Sequence, residues 1–497
     1  MLPKFVEIIF VLFVLLALGP AGSGLMERVT LNELLAATGG HTAAVDADSV
    51  AFRRITTDSR TVERGDLFWA IRGERQDGHD FVAEADRRGA AGCVVESKES
   101  IPRGFPAAVV VDTIQGLKDL ARWYRQRRDA LVVGVTGSVG KTTTREMLYS
   151  VLRTRLDGCR SDKNYNNHIG LPLSVLEIND RHDFAVLELG ASHVGEIREL
   201  AAIAAPQFGI VTAIGASHLE GFGSVERIVE AKGELVEALP ADGLAVLNGD
   251  DARCSSLAGR AGCRVVTVGE ESHNTVRASA IEAIGPQLRF RVDGSVFSVQ
   301  AAGRHHLPGA LATVVVAREL GLSTLQIAEG FSQFTSVDGR CQVRTLGTLT
   351  LIDDTYNANP VSMDAACRLL GEWPSAGERI LVVGDMAELG DESADWHSAA
   401  GRMAAQMGID RLAAFGRYAA EVRRGALENG MTADQVAHSD RLDVLLSALE
   451  CWRQAGDVVL VKGSRSMEME RVSEWLIRQN ELSKERHRLG QPARACA

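Results

Sequence analysis

Short apolar runs alternate with helix-like segments through the middle of the chain. The runs begin at Leu131, Phe184, Phe208 and Leu244, and each of them ends in a small or polar turn. This alternation is typical of a mostly parallel sheet whose functional loops follow the carboxyl ends of the strands. The pattern restarts near residue 338 with "LTLIDD", "RILVVGD", "RLAAFG" and "DVVLVKG", and it predicts a second, Rossmann-like α/β domain.

A smaller α/β pattern precedes these two regions. The strand-like runs "GDLFWAI", "AAGCVVE" and "AAVVVD" are separated by polar turns, and a basic helix follows them over residues 116–129. We therefore expect an α/β protein of three domains with a hydrophobic leader and a charged tail. The predicted segments are 1–25 (leader), 26–115 (N-terminal domain), 116–337 (central domain), 338–480 (C-terminal domain) and 481–497 (tail).

The leader contains a lysine, one long apolar run and a group of small residues. This order is typical of a secretory signal peptide, and the run is short for a membrane-spanning helix, which needs about 20 apolar residues. Three interpretations remain open: translation from Met26, an uncleaved anchor on a cytoplasmic protein, or an exported protein. We favour the first, and we expect contact with a membrane only if the segment is retained.

Composition narrows the classes of function. The 497 residues are 45% hydrophobic and carry a formal net charge of −11, without any block of like charge. A nucleic-acid-binding protein would favour a basic face, so we expect no nucleic-acid partner. The eight cysteines show no paired metal-ligand spacing. Cys93, Cys159 and Cys341 lie among apolar or small residues, and we interpret them as small core residues in a reducing compartment.

The stretch "GVTGSVGKTTTREML" carries the clearest chemical signal. Its glycines, lysine and threonines follow a predicted strand and open a predicted helix, which is the setting of a phosphate-binding loop. Backbone N–H groups from Gly137 to Lys141 would hold phosphate oxygens, Lys141 would offset their charge, and Thr142 would ligate Mg²⁺. Val135 replaces the usual first glycine, so the loop is a variant; a plain glycine turn is the alternative.

Several other polar positions follow predicted strands. Glu188 ends an apolar run, and a carboxylate there either serves Mg²⁺ or is a satisfied core group, because burying it unpaired is costly. His218 and Lys232, considered alone, are more simply structural residues. The amides Asn164, Asn166 and Asn167 form either an ordinary polar loop or a set of donors and acceptors for a polar ligand.

Two further clusters lie in the predicted C-terminal domain. The segment "LIDDTYNANPVSM" contains Asp353, Asp354, Asn357 and Asn359, which suit a ribose, a base or a phosphate, or else an Asx-rich turn that caps the next helix. The segment "VKGSRSMEMERV" suits an anion, or else it is a charged helix start. Its polar side chains include Lys462, Ser464 and Arg465.

Taken in order, these motifs resemble the Mur ligases of peptidoglycan synthesis over residues from about 27 to about 478. The most specific segments are "TGSVGKTTT", "NYNNHIGLPL", "LELGASHVGEI", "SHLEGFGSVERIVEAKGE", "DDTYNANPVSM", "GDMAELG" and "VKGSRSMEMERV". The last four resemble the member that adds D-alanyl-D-alanine to a UDP-linked tripeptide. The sister that adds a diamino acid carries an Asp-Asn-Pro-Arg motif, which this sequence lacks.

The resemblance implies a role for each matching residue. Lys141, Glu188, His218 and Lys232 would be catalytic, and Thr142, Glu188, His218 and carbamylated Lys232 would bind Mg²⁺. ATP would contact the phosphate loop, the adenine-side residues and the third domain: Gly137, Ser138, Val139, Gly140, Lys141, Thr142, Thr143, Asn248, His305, Arg340 and Asp354. The UDP-tripeptide and D-Ala-D-Ala would contact Ser59, Arg60, His79, Asn164, Asn166, Asn167, Asn357, Asn359, Lys462, Ser464 and Arg465.

The family also implies a reaction. The tripeptide carboxylate attacks the γ-phosphate of ATP, and the amine of D-Ala-D-Ala then attacks the resulting acyl phosphate. The implied enzyme is a cytoplasmic, monomeric, ATP- and Mg²⁺-dependent amide ligase, in which the N-terminal domain holds the UDP end of the substrate. One departure concerns "GRHHLPGALA", where His306 and Gly309 replace the asparagines common in the family, so the adenine-side contacts are open to question.

Three alternatives stay open at this point. Folylpolyglutamate synthase shares the phosphate loop and the acyl-phosphate chemistry, but it lacks the first domain in this form. A nucleotide-binding switch protein would have the loop without a site for a peptide or an amine. An inactive homologue is the third alternative, and His306 and Gly309 are the residues that favour it.

Overall fold

The fold was analysed in a computed structural model, which describes residues 25–42, 47–73, 75–162 and 164–488. Most of the predicted leader and residues 489–497 of the predicted tail lie outside these ranges. The described residues form two compact units. The first contains the chain up to Leu131 together with Asp157–Leu187 and Ala202–Ala204, and the second contains Val132–Leu156, Glu188–Ala201 and the chain from Ala205 onwards.

The strands alternate with helices along the chain, as the apolar runs predict. They are β1 (Val29–Thr30), β2 (His41–Thr42), β3 (Ala51–Phe52), β4 (Ile55–Thr56), β5 (Leu67–Trp69), β6 (Gly92–Val95), β7 (Ala107–Val109), β8 (Leu131–Thr136), β9 (Gly158–Arg160), β10 (Phe184–Glu188), β11 (Phe208–Val211), β12 (Leu244–Asn248), β13 (Arg264–Gly269), β14 (Val276–Arg277), β15 (Ser279–Ile284), β16 (Gln287–Val292), β17 (Ser295–Val299), β18 (Gln342–Leu346), β19 (Leu349–Asp354), β20 (Arg379–Gly384), β21 (Arg411–Phe415), β22 (Val436–Ser439) and β23 (Val458–Lys462).

The helices begin at recognisable caps in several places; Thr30 and Glu33, for example, form a capping box on the first one. The α-helices are α1 (Leu31–Thr38), α2 (Val82–Arg87), α3 (Thr113–Arg125), α4 (Lys141–Leu152), α5 (Gly170–Leu176), α6 (Glu196–Ala204), α7 (Leu219–Phe222), α8 (Val225–Glu237), α9 (Ala252–Ser256), α10 (Leu307–Glu319), α11 (Thr324–Gln333), α12 (Pro360–Gly371), α13 (Ser393–Gln406), α14 (Ala419–Glu428), α15 (Leu442–Trp452) and α16 (Glu470–Arg488).

The first unit contains a five-stranded sheet in the order β2-β7-β6-β5-β4. Its strands are parallel except for β2, which pairs antiparallel with β7. The same unit holds the antiparallel pair β1 and β3 and the parallel pair β9 and β10. The strands predicted before residue 116 are therefore confirmed as parts of a small α/β unit.

The second unit contains two parallel or mostly parallel arrangements. One runs β14-β13-β12-β11-β8 with every pairing parallel, and the other runs β18-β19-β23-β20-β21-β22 with only β18 antiparallel. In β20, Ile380 and Val382 pack in one apolar cluster, whereas Leu381 and Val383 pack in another. Both faces of this strand are covered, which explains its continuous apolar run.

Two features of the fold are absent from the sequence-based prediction. Strands β15, β16 and β17 form an antiparallel sheet, in which Phe290 and Phe297 meet Phe331 of α11 at ring-centroid distances of 6.2 and 6.0 Å. Helix α16 is a second difference, because it continues to Arg488 and makes the start of the predicted tail helical. Among the residues that the structure describes, no helix combines the length and the apolar character needed to cross a membrane.

A buried tyrosine joins three segments of the first unit. Tyr124 of α3 is 1% exposed; its hydroxyl accepts a hydrogen bond from the backbone N–H of Glu27 at 2.7 Å and donates one to the carbonyl of Ile178 at 2.7 Å. Burial raises the pKa of Tyr124 to about 12, so the hydroxyl keeps its proton at neutral pH. Helix α3 is thereby tied to the start of the described chain and to the segment after α5.

We expect Tyr124→Phe to destabilise the first unit by about 1–3 kcal/mol, because a backbone donor and a carbonyl both lose their partner in a buried position. The urea midpoint of the unfolding transition, followed by circular dichroism, measures this loss. Tyr418→Phe is the matched control, since the Tyr418 hydroxyl makes no hydrogen bond with the described residues. Equal midpoints for the two variants would contradict the assignment.

Candidate active site

The predicted phosphate loop lies between β8 and α4, where sequence analysis places it. Gly137 has φ +148° and Gly140 has φ +83°, which are backbone conformations that favour glycine. A β-carbon at Gly137 would lie 2.1 Å from Oγ1 of Thr212, so any side chain there would clash. The two glycines turn the chain sharply from the strand end into the helix that begins at Lys141.

Neighbouring strand ends hold the loop in place. The Thr212 hydroxyl, just after β11, donates to the carbonyl of Val139 at 2.5 Å. The Ser138 hydroxyl donates to the carbonyl of Gly215 at 2.8 Å and accepts from the Ser217 hydroxyl at 3.0 Å. The loop is therefore fixed by hydrogen bonds to the segment after β11.

Thr142 and Glu188 lie together although 46 residues separate them. The Thr142 hydroxyl donates to Oε2 of Glu188 at 2.9 Å, and both residues are buried. Arg145, one helical turn after Thr142, approaches the same carboxylate oxygen at 3.4 Å. A hydroxyl and a carboxylate are the oxygen ligands that Mg²⁺ prefers, so this donor set fits the predicted cation.

Positive charge accumulates beside this pair. Lys141 donates to the carbonyl of Gly137 at 2.7 Å, and desolvation lowers its pKa. Lys232 is 2% exposed, and desolvation together with the Lys141 ammonium lowers its pKa to about 7. The Nε atom of Arg340 is buried without a hydrogen-bond partner among the described residues. An anion such as a polyphosphate would satisfy these groups.

His218 is held by a residue from the predicted C-terminal domain. Its Nδ1 atom makes a hydrogen bond with the carboxylate of Glu388, and the backbone of His218 is left-handed with φ +50°. Desolvation lowers the pKa of His218, which favours the neutral ring at pH 7. With Nδ1 donating to Glu388, Nε2 keeps its lone pair for a ligand.

Two adjacent strand ends position Asp354 and Lys462. Strands β19 and β23 are parallel with Asp354 opposite Lys462, and the Lys462 ammonium lies 2.6 Å from Oδ2 of Asp354. Lys462 also donates to the carbonyl of Asn357 at 3.0 Å. Both hydrogen-bond partners of the Lys462 ammonium thus lie within the protein, so this lysine supports Asp354 and Asn357.

The other residues predicted in the C-terminal domain are also engaged within the protein. Asn359 caps α12, and its side-chain amide lies 3.5 Å from the carbonyl of Ser138 in the phosphate loop. Ser464 is buried; its hydroxyl donates to the carbonyl of Ala358 and accepts the N–H of Ala387. Arg465 is exposed and pairs with Glu470 at 2.7 Å.

Two residues predicted on the adenine side lie in different surroundings. Asn248, at the end of β12, donates to the carbonyl of Thr212 at 3.0 Å and so belongs to the framework behind the loop. His305 is exposed in a short helical turn before α10, and its Nε2 atom lies 3.7 Å from Sγ of Cys341. Thr143 is buried in the first turn of α4.

In the first unit, the residues predicted to bind the UDP-sugar differ in exposure and in their hydrogen-bond partners within the protein. His79 uses both ring nitrogens inside the protein, since Nδ1 bonds Asp77 at 2.6 Å and Nε2 accepts the N–H of Glu96 at 3.0 Å. Ser59 is buried, whereas the Arg60 guanidinium is exposed and pairs with Asp58 at 2.7 Å. His79 therefore shapes this region, and Arg60 is the group that faces solvent.

The asparagine loop is held by its own hydrogen bonds and carries exposed amides, and its contact with a ligand stays a prediction. Oδ1 of Asn167 accepts the N–H of Gly170 at 2.9 Å, so this residue supports the start of α5. Asn164 and Asn167 are exposed, and Asn166 is half-buried. The loop thus has a structural role at Asn167 and presents polar groups at its surface.

Arg145 and Glu388 are two site residues that the sequence analysis did not single out. Arg145 follows Thr142 by three residues on one helix, so helical spacing could have placed it on the same face. Glu388 lies in the quoted segment "GDMAELG", but its partner His218 is 170 residues away, and no local pattern connects them.

Comparisons with known proteins agree with this geometry. Three family profiles match in succession: the Mur ligase family catalytic domain over residues 51–131, the Mur ligase middle domain over 135–317, and the Mur ligase glutamate ligase domain over 339–465. The UDP-N-acetylmuramoyl-tripeptide–D-alanyl-D-alanine ligase of Bacillus subtilis is 34% identical over 456 residues, which cover 91% of this chain and 99% of the relative.

Solved structures give the same result. MurF from Acinetobacter baumannii is similar with a TM-score of 0.83 and 32% identity, and the alignment covers 91% of this chain and 99% of that one. MurF ligase from Thermotoga maritima in complex with ADP is similar with a TM-score of 0.76 and 31% identity, covering 87% and 98%. The predicted three-domain α/β architecture with a parallel central sheet is confirmed.

We expect Lys141→Ala to lower ATP turnover by about 100-fold or more while the protein stays folded, because the loop loses its charged donor to phosphate. Nucleotide-dependent phosphate release measures turnover, and circular dichroism checks the fold. Lys484→Ala, which removes an exposed lysine of α16, is the matched control and keeps full turnover. Turnover at the wild-type rate in the Lys141 variant would remove this lysine from the phosphate site.

Proposed function

The chain belongs to the Mur ligase family, and on this premise we propose that it joins D-alanyl-D-alanine to UDP-N-acetylmuramoyl-tripeptide with hydrolysis of ATP. The product is the pentapeptide precursor of peptidoglycan. The observation that carries the proposal is the group of under-neutralised cations, Lys141, Lys232 and Arg340, around the Thr142–Glu188 pair. Relatives of nearly equal length that are named UDP-N-acetylmuramoyl-tripeptide–D-alanyl-D-alanine ligase support the same activity.

The reaction has two steps. A carboxylate oxygen of the tripeptide attacks the γ-phosphorus of ATP, the bond to the bridging oxygen breaks, and ADP leaves. The amine of D-Ala-D-Ala then attacks the acyl carbon, loses a proton, and phosphate leaves. Lys141 and the loop N–H groups hold the phosphates, and Arg340 offsets the charge that develops during transfer. Positioning and electrostatics, rather than covalent catalysis by the protein, carry this chemistry.

Thr142 and Glu188 supply oxygen donors that would hold Mg²⁺ at the phosphates, and His218 with a carbamylated Lys232 would supply a second set. Mg²⁺ bound there would offset phosphate charge. Glu388 fixes the His218 ring through Nδ1, which leaves Nε2 toward the site. The hydrogen bond with Glu388 orients the ring, and desolvation lowers the pKa of His218 although the Glu388 carboxylate acts in the opposite direction.

Lys232 is suited to carbamylation in this chain. With its pKa lowered to about 7, roughly half of the amine is neutral at pH 7 and can attack CO₂. The neutral amine nitrogen forms a bond to the carbon of CO₂ and releases one proton, which gives an anionic carbamate. Starting from the ammonium form, two protons are released in total. The new anion would lie beside Lys141, and it would relieve the repulsion between the two lysines.

The remaining assignments are parts of the same proposal. The UDP-tripeptide would contact Ser59, Arg60 and the loop from Asn164 to Asn167, with His79 as a support. D-Ala-D-Ala would lie near Asn357, with Lys462 and Ser464 holding that segment. The domain boundaries at residues 115/116 and 337/338, a cytoplasmic location and a monomeric state stay predictions.

The proposal is tested by phosphate release from the chain starting at Met26, with Mg²⁺-ATP and UDP-N-acetylmuramoyl-tripeptide, with and without D-Ala-D-Ala. We expect release that needs both substrates and a pentapeptide product detected by mass. Release driven by another amino acid in place of D-Ala-D-Ala, or by a folate in place of the UDP-tripeptide, would change the proposed substrates. ATP binding without any release would identify an inactive homologue.

We expect Lys232→Ala to abolish ligation, and added formate or bicarbonate to restore part of it, because a small carboxylate can replace the carbamate. Initial rates of ADP formation with and without the additive measure this rescue. Lys484→Ala with the same additive is the control and should show no gain in rate. Full activity of the Lys232 variant without additive would refute the role of a carbamate.

A further inference from the structure

A compact group of nitrogen and sulfur donors lies in the second unit, apart from the Thr142–Glu188 pair. It contains His305, His306 and Cys341, whose ligand atoms all lie within 4.8 Å of one another. Nε2 of His305 is 3.7 Å from Sγ of Cys341, and the two imidazole rings have centroids 4.0 Å apart. Cys341 is 36 residues from His305 in sequence, so the fold brings the thiol to the adjacent pair of histidines.

The backbone holds these side chains in position. His305 and His306 belong to one short helical turn, Arg304–His306, that leads into α10. Cys341 has a left-handed backbone with φ +50°, and its N–H donates to Oδ1 of Asp354 at 3.2 Å. This anchor directs the thiol toward the two histidines from the start of β18.

The donors are available for a ligand. His306 is 8% exposed, and its ring nitrogens make no hydrogen bond with the described residues. An unprotonated imidazole nitrogen and a cysteine sulfur are ligands that zinc accepts.

We propose that His305, His306 and Cys341 form a site for Zn²⁺, with a fourth position open to water on the exposed side of His305. Zinc bound by two imidazoles and a thiolate has Zn–N distances of about 2.0–2.1 Å and a Zn–S distance of about 2.3 Å. In a tetrahedron, these lengths place the donors about 3.3–3.6 Å apart. The separation of 3.7 Å between His305 and Cys341 is already close to this value.

The donor set also selects the metal. Thiolate and imidazole prefer Zn²⁺ over Mg²⁺, which binds oxygen ligands in an octahedron. Mg²⁺ would therefore stay at Thr142 and Glu188, while Zn²⁺ would occupy the histidine–cysteine site.

A second part of the proposal rests on the proposed function. The family resemblance assigns His305, Asp354 and the neighbouring Arg340 to the nucleotide, and Asp354 also accepts the backbone N–H of Cys341. A zinc ion that fixes His305 would withdraw it from the nucleotide. Zinc and nucleotide would then compete, and zinc would act as an inhibitor of the ligase.

The first test measures zinc binding by the full chain without nucleotide. Chelator-treated protein is titrated with Zn²⁺ in excess Mg²⁺ against a chromophoric chelator, and Co²⁺ is used in parallel as a spectroscopic probe. We expect one tightly bound Zn²⁺ per chain and a thiolate-to-Co²⁺ charge-transfer absorption. Absence of stoichiometric binding, or a Co²⁺ spectrum without the thiolate band, would overturn the site.

Variants assign the ion to these residues. We expect Cys341→Ser and His306→Asn to weaken zinc binding by more than the roughly 10- to 100-fold that loss of a supporting partner costs. Cys451→Ser, which removes an exposed thiol, is the matched control and should bind like the wild type. Circular dichroism confirms the fold of each variant. Unchanged zinc affinity in both site variants would overturn the metal site. The contact between Cys341 and His305 would then be a simple hydrogen bond between a thiol and an imidazole.

The competition is tested separately with ADP. We first measure the affinity for Mg²⁺-ADP without zinc, which tests the proposed nucleotide site alone. We then expect added Zn²⁺ to weaken ADP binding in the wild type, and to have no such effect in His306→Asn. Unchanged ADP affinity in zinc-loaded wild-type protein would overturn the competition and leave the metal site standing.

Discussion

Positive charge that the protein leaves only partly neutralised is the constraint on which the active site depends. Lys232 is buried, Lys141 is largely desolvated, and Glu188 already accepts from Thr142 and lies near Arg145. Withdrawing ammonium groups from water costs free energy unless a counter-charge is close. An anion that enters this region recovers that free energy, so the buried positive charge, which lowers the stability of the fold, favours binding of a polyphosphate.

The sheets are the means by which this charge is assembled. Parallel strands direct their carboxyl ends to one edge, so the loop after β8, the carboxylate at the end of β10 and Thr212 after β11 come together. The same rule places Asp354 beside Lys462 at the ends of β19 and β23. Apolar packing on both faces of strands such as β20 holds these ends in register.

The sequence predicts those parts of the structure that depend on local patterns. The strand ends and the glycine turn before Lys141 follow from apolar runs and glycine positions, and the structure has them where the sequence analysis places them. The phosphate-binding role of that turn and the domain boundaries stay predictions. Contacts between distant segments carry no such signal: Glu388 meets His218, and Cys341 meets His305 and His306, only because the fold brings them together. The sequence analysis therefore interpreted Cys341 as a core residue, which its burial supports, and did not connect it with the histidines.

Several predicted ligands have internal partners, which residue type alone could not disclose. Both nitrogens of His79 and the ammonium of Lys462 are bonded within the protein, whereas Arg60 is exposed. A histidine or lysine looks the same in sequence whether it faces a ligand or supports a neighbour. Distinguishing the two depends on tertiary hydrogen bonds, and these are fixed by packing rather than by spacing.

The phosphate loop has a further consequence for recognition. Its shape is set by Gly137 against Thr212 and by the hydroxyls of Ser138 and Ser217, before any nucleotide arrives. The entropy of ordering these residues is lost during folding, so association with nucleotide does not have to supply it. A preorganised loop of this kind gains affinity but adapts poorly, and it should discriminate sharply among anions of different size and geometry.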